Sequence, residues 1–402
     1  MRLTRHHHTV RDHAESWRRP LLDLSHRLHA DPETAYEEHR AAAALADLAA
    51  RAGFAVERGV AGLPTAFTAV RGTGDLVIGL CAEYDALPGI GHACGHNVNG
   101  TAALGAALAL GAVADELGLT VKLLGTPAEE DGGGKVDMID AGLFDDVAVA
   151  MMVHAANADT VGNTSMAIGA WDITYTGRPA HAAAAPWDGV NALDALTVAQ
   201  TSIGLLRQQL PQDARVHGII TDGGQAPNVI PERTAARYEV RSATLESMRA
   251  LQRRVAVCFE AGALATGAAL HMAPHGHDFA ELRQDGTVAG IYAEAAESLG
   301  RTVGRAPERG GSTDMGNVSQ LLPTIHPMIG YDTGGAHQHT REFAAAGTSA
   351  GADRAVLDGA VAMAWTGVEL ATGPGHRDRL RAAVSARART PRPTAEPTGA
   401  HP

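Results

Sequence analysis

The sequence predicts an α/β domain with a largely parallel sheet, interrupted by a small α+β domain. Up to about residue 168, apolar strand-like runs alternate with helical patterns, and polar residues cluster where the strands end. From about Gly169 to about Ala280 the order becomes β-α-β-β-α-β, the split unit of ferredoxin-like folds, complete in itself. A chain of 402 residues also exceeds the usual size of one hydrophobic core.

The elements follow in order. From His13 to Ala52 apolar residues at helical spacing (Trp17, Leu21, Leu24, Leu28) predict two helices separated by a turn at Asp31-Pro32. TAFTAV and DLVIGLCAEYD read as two strands joined by a hairpin-type turn at Arg71-Gly72-Thr73-Gly74, and LVIGLC reads as buried on both faces. GTAALGAALALGAVADEL is a small-residue helix, TVKLLGTPAEE a strand running into acidic residues, and VAVAMMVHA a strand ending in His154. AWDITYTG, ARVHGIITDG, RTAARYEVRS and AALHMAPHG are the inserted strands, with helices at 191–210 and 245–267. TVAGIYAEAAESLG, the GGSTDMGNVSQLLP region and a last Ala-rich helix return to the first domain. The expected boundaries are 13–168 and 281–375 for the α/β domain, 169–280 for the insert, and 376–402 for a disordered Pro-, Thr- and Ala-rich tail.

Composition excludes several functions. A net charge of −12 speaks against a nucleic-acid or anionic-membrane surface. No apolar run is long enough to span a bilayer, and the N-terminus carries no secretory h-region. Three widely spaced cysteines make no disulfide framework, so a cytoplasmic location fits best. Lys122 and Lys135 are the only lysines, a scarcity that reads as coding bias. His6-His7-His8 sits at an end expected to fray and carries little weight.

Four features sit at strand ends or glycine turns, where chemistry on an α/β sheet is expected. The first, within EYDALPGIGHACGHN, is His92-Ala93-Cys94-Gly95-His96, in which Cys94 and His96 set a thiol and an imidazole two residues apart. Glu129-Glu130 follows a strand, and adjacent residues on extended chain point in opposite directions. One carboxylate can then bind a metal while the other faces a water. His154 and the late His337-Gln338-His339 complete the set. Taken singly, each has an ordinary structural reading, and Cys81 and Cys258 read as core. Together they offer the mixed N, O and S donors of a two-metal hydrolase.

EYDALPGIGHACGHN, TPAEEDGGGK, MVHAANAD, GRPAHAAAAPWDGVNALDA, QAPNVIP and GSTDMGNVS, in this order from about residue 15 to about 370, resemble the M20 metallopeptidase and amidohydrolase family. The similarity is to its branch of p-aminobenzoyl-glutamate hydrolases and M20 domain-containing protein 2 type dipeptidases. The resemblance implies a zinc-peptidase-like, mostly parallel sheet domain with an inserted ferredoxin-like lid. It implies two divalent ions, Zn2+ or Mn2+ with Co2+ as a further candidate, held by Cys94 as the bridge and by His96, Glu130, His154 and His339. His339 is preferred to His337 because HTREF fits the family pattern. Glu129 would be the general base. His181 would contact the substrate from the lid, often across a dimer interface, and Asn228 would approach it too. Ser312, Thr313 and Asp314 would line the pocket beside the Asp131–Gly134 loop. Where many branches carry His-x-Asp, this chain has Glu83-Tyr84-Asp85. Asp85 is expected to orient a ligand, whereas Glu83 is either a supporting carboxylate or merely a strand-end acid.

The implied activity is hydrolysis of an amide bond in a small dipeptide-like or N-acyl amino acid substrate. The implied assembly is a homodimer through the lid, using the AWDITYTG strand or the 189–210 helix. A zinc deaminase would need a Pro-Cys-x-x-Cys element, and none is present. A thiol hydrolase using Cys94 stays open, as does a non-catalytic binding protein on the same scaffold.

Overall fold

Leu76–Ala82, buried along nearly its whole length, becomes an interior strand of the larger sheet. The computed structural model describes residues 1–305 and 311–389. The sheet contains strands Ala55–Arg58, Phe67–Arg71, Leu119–Gly125, Leu76–Ala82, Val149–Met151 and Thr324–Ile325, in that spatial order. The last three junctions are parallel and the first two antiparallel.

The expected hairpin between the second and third strands in sequence does not form. Leu119–Gly125 slots between them, antiparallel to one and parallel to the other. An apolar strand needs neighbours on both edges as well as cover on both faces, and a hairpin would supply only one edge. The glycine turn serves the inserted strand instead. Gly74 N–H donates to Leu119 O at 3.2 Å, and a Cβ on Gly74 would overlap the Gly118 backbone at 1.8 Å.

The helix His96–Gly111 is buried at every residue, as a helix without a polar face must be. It packs along the long late helix Ala350–Thr372, where Gly105 lies against Ala360 and Gly367 against Leu110. The N-terminus is also firmly placed, contrary to the expectation of fraying. Arg5–Ser16 is a helix, His7 is buried, and the Trp365 indole N–H donates to His7 O at 2.8 Å. Arg18–Ala30 and His39–Arg51 follow it, separated by the loop that begins at Asp31.

The insert is a four-stranded antiparallel sheet, in the order Ala269–Pro274, Ala167–Thr176, Arg233–Ser242, Arg215–Asp222. Ala192–Leu206 and Leu245–Thr266 cover one face, with a separate core around Ile173, Tyr175, Leu196, Val255 and Phe259. The strand holding AWDITYTG is paired on both sides and offers no edge to a second copy. The edges belong to Ala269–Pro274 and to Arg215–Asp222, and the second exposes Ile219 and Ile220.

Two further expectations change. Val149–Met151 ends before His154, which instead opens His154–Ala156, a strand of a separate small sheet beside Met328–Gly330. Residues 376–387 are a helix with Leu380 buried, so the expected tail from 376 is ordered at its start. The remainder of that tail, from 390 onward, lies outside the described residues. No helix among the described residues is long and apolar enough to cross a membrane.

Candidate metal centre

Cys94, Gly95 and His96 bridge the loop after the interior strand and the start of the buried helix. Gly95 adopts φ +72°, and a Cβ there would meet the Ala155 Cβ at 2.4 Å, so only glycine lets this turn close on the His154 strand. His96, at the helix start, is fully buried. Its Nδ1 donates to Asp85 Oδ1 and to Asp85 O, each at 2.9 Å, which turns the Nε2 lone pair inward. The other Asp85 oxygen, Oδ2, accepts from Glu130 N–H at 2.9 Å. One carboxylate thus fixes both an imidazole and the backbone of the glutamate pair.

The loop carrying Glu129 and Glu130 is held by buried acids along its length. Glu38 Oε1 accepts from Ala128 N–H at 2.8 Å, and Asp314 Oδ2 accepts from Lys135 N–H at 3.1 Å. Ala128 is thereby kept at φ +59°, a left-handed conformation that costs an alanine on the order of 1–3 kcal/mol. His339 shares this feature at φ +66°, with its N–H donating to Ala93 O at 3.0 Å. Backbone strain at both points marks positions where side-chain aim outweighs local comfort.

These constraints bring two donor sets together. Cys94, Glu130 and His339 place ligand atoms within 4.8 Å of one another, and so do Glu83, His96 and His154. His96 Nε2 lies 3.9 Å from a carboxylate oxygen of both Glu129 and Glu130. His154 Nδ1 lies 3.0 Å from Ala155 O and 3.1 Å from the Gln338 amide nitrogen, so Nδ1 is engaged and Nε2 is the ring nitrogen left for a metal. His96 Nε2 and Glu130 Oε1 are buried with no hydrogen-bond partner, a costly arrangement unless a cation fills the space between them. The donor set of one thiol, three imidazoles and a carboxylate suits a borderline-soft divalent ion.

The charge balance agrees. Burial opposes protonation of His96, yet Asp85, Glu83 and Glu130 hold the imidazolium well above its usual range. Burial lowers His154 to about 4, so it is a neutral donor. Burial, and then Glu83, Glu130 and Asp314, keep the Glu129 carboxyl well above the ordinary range. Burial and then Glu130 push the Cys94 thiol up, which makes a poor free nucleophile; as a ligand it would need a bound cation to displace its proton.

The remaining residues singled out in the sequence lie in different places. Asp314 is buried and pairs with Lys135, while Ser312 accepts from Arg241 at 3.1 Å and donates to Met166 O, joining lid to catalytic domain. The Thr313 hydroxyl accepts from Met315 N–H at 3.2 Å. His181 and Asn228 are on exposed lid loops, brought together by Ala182 N–H donating to Asn228 O at 3.0 Å, and neither joins the donor cluster. His337 is exposed and lines, with Asn157, Gln338, His339 and Phe343, a cavity of about 280 Å3 beside the cluster.

The sequence reading missed several residues. His326 is buried with its ring 5.2 Å from that of His154 and neither nitrogen partnered. Glu38 is fully buried, and burial raises it to about 7. His275 links Asp131 to Asp172 across the domain seam, at 2.8 and 3.0 Å, and His277 reaches Asp137 at 2.8 Å. None stands in a motif; each is a lone side chain whose partner is remote in sequence.

With this geometry in place, the comparisons with known proteins are decisive. Residues 79–356 match the model of Peptidase family M20/M25/M40. The chain belongs to the M20 peptidase family. It is 39% identical over 381 residues to the Xaa-Arg dipeptidase of Mus musculus, covering 89% of this chain and 87% of that one. To a p-aminobenzoyl-glutamate hydrolase polypeptide of Escherichia coli (strain K12) it is 36% identical over 283 residues, covering 64% and 58%. A Bacillus subtilis structure described as a dinuclear metal binding peptidase from the M20 family superposes with a TM-score of 0.64 at 21% identity. That likeness covers 88% of this chain and 99% of the other, and it gives the fold: a catalytic domain with an inserted lid. This M20 chain is a metal-dependent hydrolase of amide bonds in small substrates.

Proposed function

We propose that the chain hydrolyses small dipeptides or N-acyl amino acids at a centre where Cys94, His96, Glu130, His154 and His339 would hold two divalent ions. The observation that carries this reading is the chain of shared donors, Cys94 and His339 with Glu130, Glu130 with His96 and Glu129, and His96 with His154, with His96 Nε2 and Glu130 Oε1 left unpartnered in the interior. Bound divalent ions would supply a water of lowered pKa and polarise the amide carbonyl. Glu129 accepts the proton of the attacking water on its carboxylate and returns it to the leaving amine. Asp85 keeps His96 and the Glu130 backbone in place while this happens. His181 donates a ring N–H to the carbonyl oxygen once its exposed loop meets the cleft, and Asn228 beside it holds the substrate.

Dipeptides ending in arginine are the first candidates, because the similarity to the Xaa-Arg dipeptidase runs through both domains. Aminobenzoyl-glutamate is the second. Zn2+ and Mn2+ are the proposed ions, with Co2+ a functional substitute. Three free, buried cysteines fit a cytoplasmic enzyme. A homodimer through the lid would cover Leu205, Val257 and Leu264, which are exposed on its helices, and the open edge at Ile219 and Ile220.

The test is an assay panel of Xaa-Arg dipeptides, other dipeptides, N-acyl amino acids and aminobenzoyl-glutamate, with Zn2+, Mn2+ or Co2+ added after chelation. Turnover that appears only with metal is the expected result. Turnover that survives exhaustive chelation would favour Cys94 as a nucleophile instead, and binding without turnover would favour a non-catalytic scaffold.

A further inference from the structure

Both lysines of this arginine-rich chain are buried in ion pairs, and one lies directly behind the proposed base. Lys135 is fully buried, and its Nζ donates to Glu83 Oε1 and to Asp314 Oδ1, each at 2.7 Å. Both carboxylates have no exposed side-chain surface. Glu83, Glu129 and Asp314 bring oxygens within 4.8 Å of one another, so three acids meet in one dry pocket. Such a cluster is held together only by a cation of its own. Burial would strip the Lys135 proton, but Asp314, Glu83 and Glu129, in that order of influence, keep it above the usual ammonium range. Two of its three N–H donors are used on Glu83 and Asp314.

Glu83 also faces the centre itself. Its other oxygen, Oε2, lies 3.5 Å from His96 Nε2 and accepts from the Asn99 amide at 3.4 Å. Together with His96 and His154 it forms one of the two donor sets at the centre. A carboxylate so placed competes for an ion unless something else holds it. Lys135 also anchors the far end of the glutamate loop, because Asp314 accepts from its backbone N–H as well as from Nζ.

We propose that Lys135 is a positioning residue: by clamping Glu83 and Asp314 with one ammonium it keeps Glu83 off the metal and presents Glu129 as a free carboxylate. The proposal rests on Glu129 being the base. Its consequence is a split between two properties that a merely structural lysine would lose together. Removing the ammonium should impair turnover while leaving the ions bound, and it should change their coordination.

The experiment compares Lys135→Met and Lys135→Met/Asp314→Asn with the wild type. The double substitution keeps the charge of the pocket constant and guards against misfolding of the single variant. Expected are a fall in kcat of about 100-fold, KM within threefold, unchanged metal content by elemental analysis, and an altered visible spectrum of the Co2+-loaded protein as Glu83 enters the coordination sphere. Turnover within threefold of wild type in either folded variant overturns the proposal. So does an unchanged Co2+ spectrum, loss of metal in step with activity, or failure of both variants to fold, since each makes Lys135 a structural counter-ion. A wild type inactive on the whole panel would refute the hydrolase reading itself, whereas an active wild type with an active Lys135→Met refutes only the role of Lys135.

Discussion

The metal-facing centre and the lid differ most in what they leave exposed. At the centre His96, Asp85, Cys94, Glu129 and His154 are all buried and only His339 of the proposed ligands is exposed, while His96 Nδ1, both Asp85 oxygens and His154 Nδ1 are committed to partners. On the lid, Trp187, Leu205 and Leu264 are 77%, 72% and 89% exposed, and His181 and Asn228 stand on solvent-facing loops. The centre is set before a substrate arrives, because moving any donor would strand another buried polar group. The lid carries its polar residues where only a change in its surroundings can engage them. The contrast predicts that substitutions at the centre change metal or chemistry at fixed assembly, whereas lid substitutions act on catalysis without touching metal.

The sharpest test of the first half is Glu129→Gln. The amide keeps the size and hydrogen-bonding reach of the glutamate but cannot take up a proton. A loss of about 10²–10⁴-fold in kcat is expected, with full metal content by elemental analysis. Near-normal turnover would remove Glu129 from its role.

The sharpest test of the second half is His181→Ala. An oxyanion donor of this kind is worth about 10²–10³-fold in kcat, and metal content should match the wild type. Mixing inactive His181→Ala with inactive Glu129→Gln then probes the assembly. If His181 serves the partner's centre, mixed dimers regain turnover; silence in the mixture, with dimers confirmed by light scattering, places His181 in cis.

The same contrast governs what could be read from the sequence. The fold class was legible because strand and helix periodicities are local, and the motif ligands because their spacing is fixed by a short turn such as Cys94-Gly95-His96. Strand order was not: nothing local says that Leu119–Gly125 would separate Phe67–Arg71 from Leu76–Ala82, since pairing depends on edges that only the assembled sheet defines. His154 was assigned to the end of one strand and opens another, because VAVAMMVHA is apolar on both sides of the break. The histidine triplet and the chain from 376 read as loose ends for a different reason: polar composition at a terminus hides the few buried contacts that dock it, His7, Val10 and Ala14 at one end and Leu380 at the other. Glu38, His275 and His326 left no signal, since their partners lie remote in the chain, and Lys135, which closes TPAEEDGGGK, showed its position but not the two acids it pairs with.

A smaller effect belongs to the support beneath the ligands. Asp85→Asn keeps the shape but weakens the hold on His96 Nδ1 and on Glu130 N–H, and a drop of about 10–100-fold in metal affinity is expected. Competition titration against a chromogenic chelator measures it. An affinity equal to wild type would show that the loop is rigid without Asp85, and that the centre owes its shape to the strained Ala128 and His339 backbones alone.

The last effect falls on stability rather than on chemistry or metal binding, and it separates burial from ligation within the centre itself. His92 belongs to the same motif as Cys94 and His96 and is as buried as they are, yet its Nε2 donates to Leu28 O at 3.0 Å and it joins no donor set. Burial lowers it to about 3, from an ordinary value of 6.5. As the pH falls below 6.5 the unfolded chain therefore takes up this proton first, so stability is lost progressively from there down to about 3 and no further below. The full loss is on the order of 5 kcal/mol. His92→Gln retains an N–H for Leu28 O and cannot be protonated. Metal-free protein carrying it should lose less stability to denaturant between about pH 7 and pH 4 than the wild type, while the metal affinity of the two at neutral pH stays equal. Parallel stability curves would mean that His92 is reached by water in solution, and weakened metal binding would bring it into the centre from which its hydrogen bond now separates it.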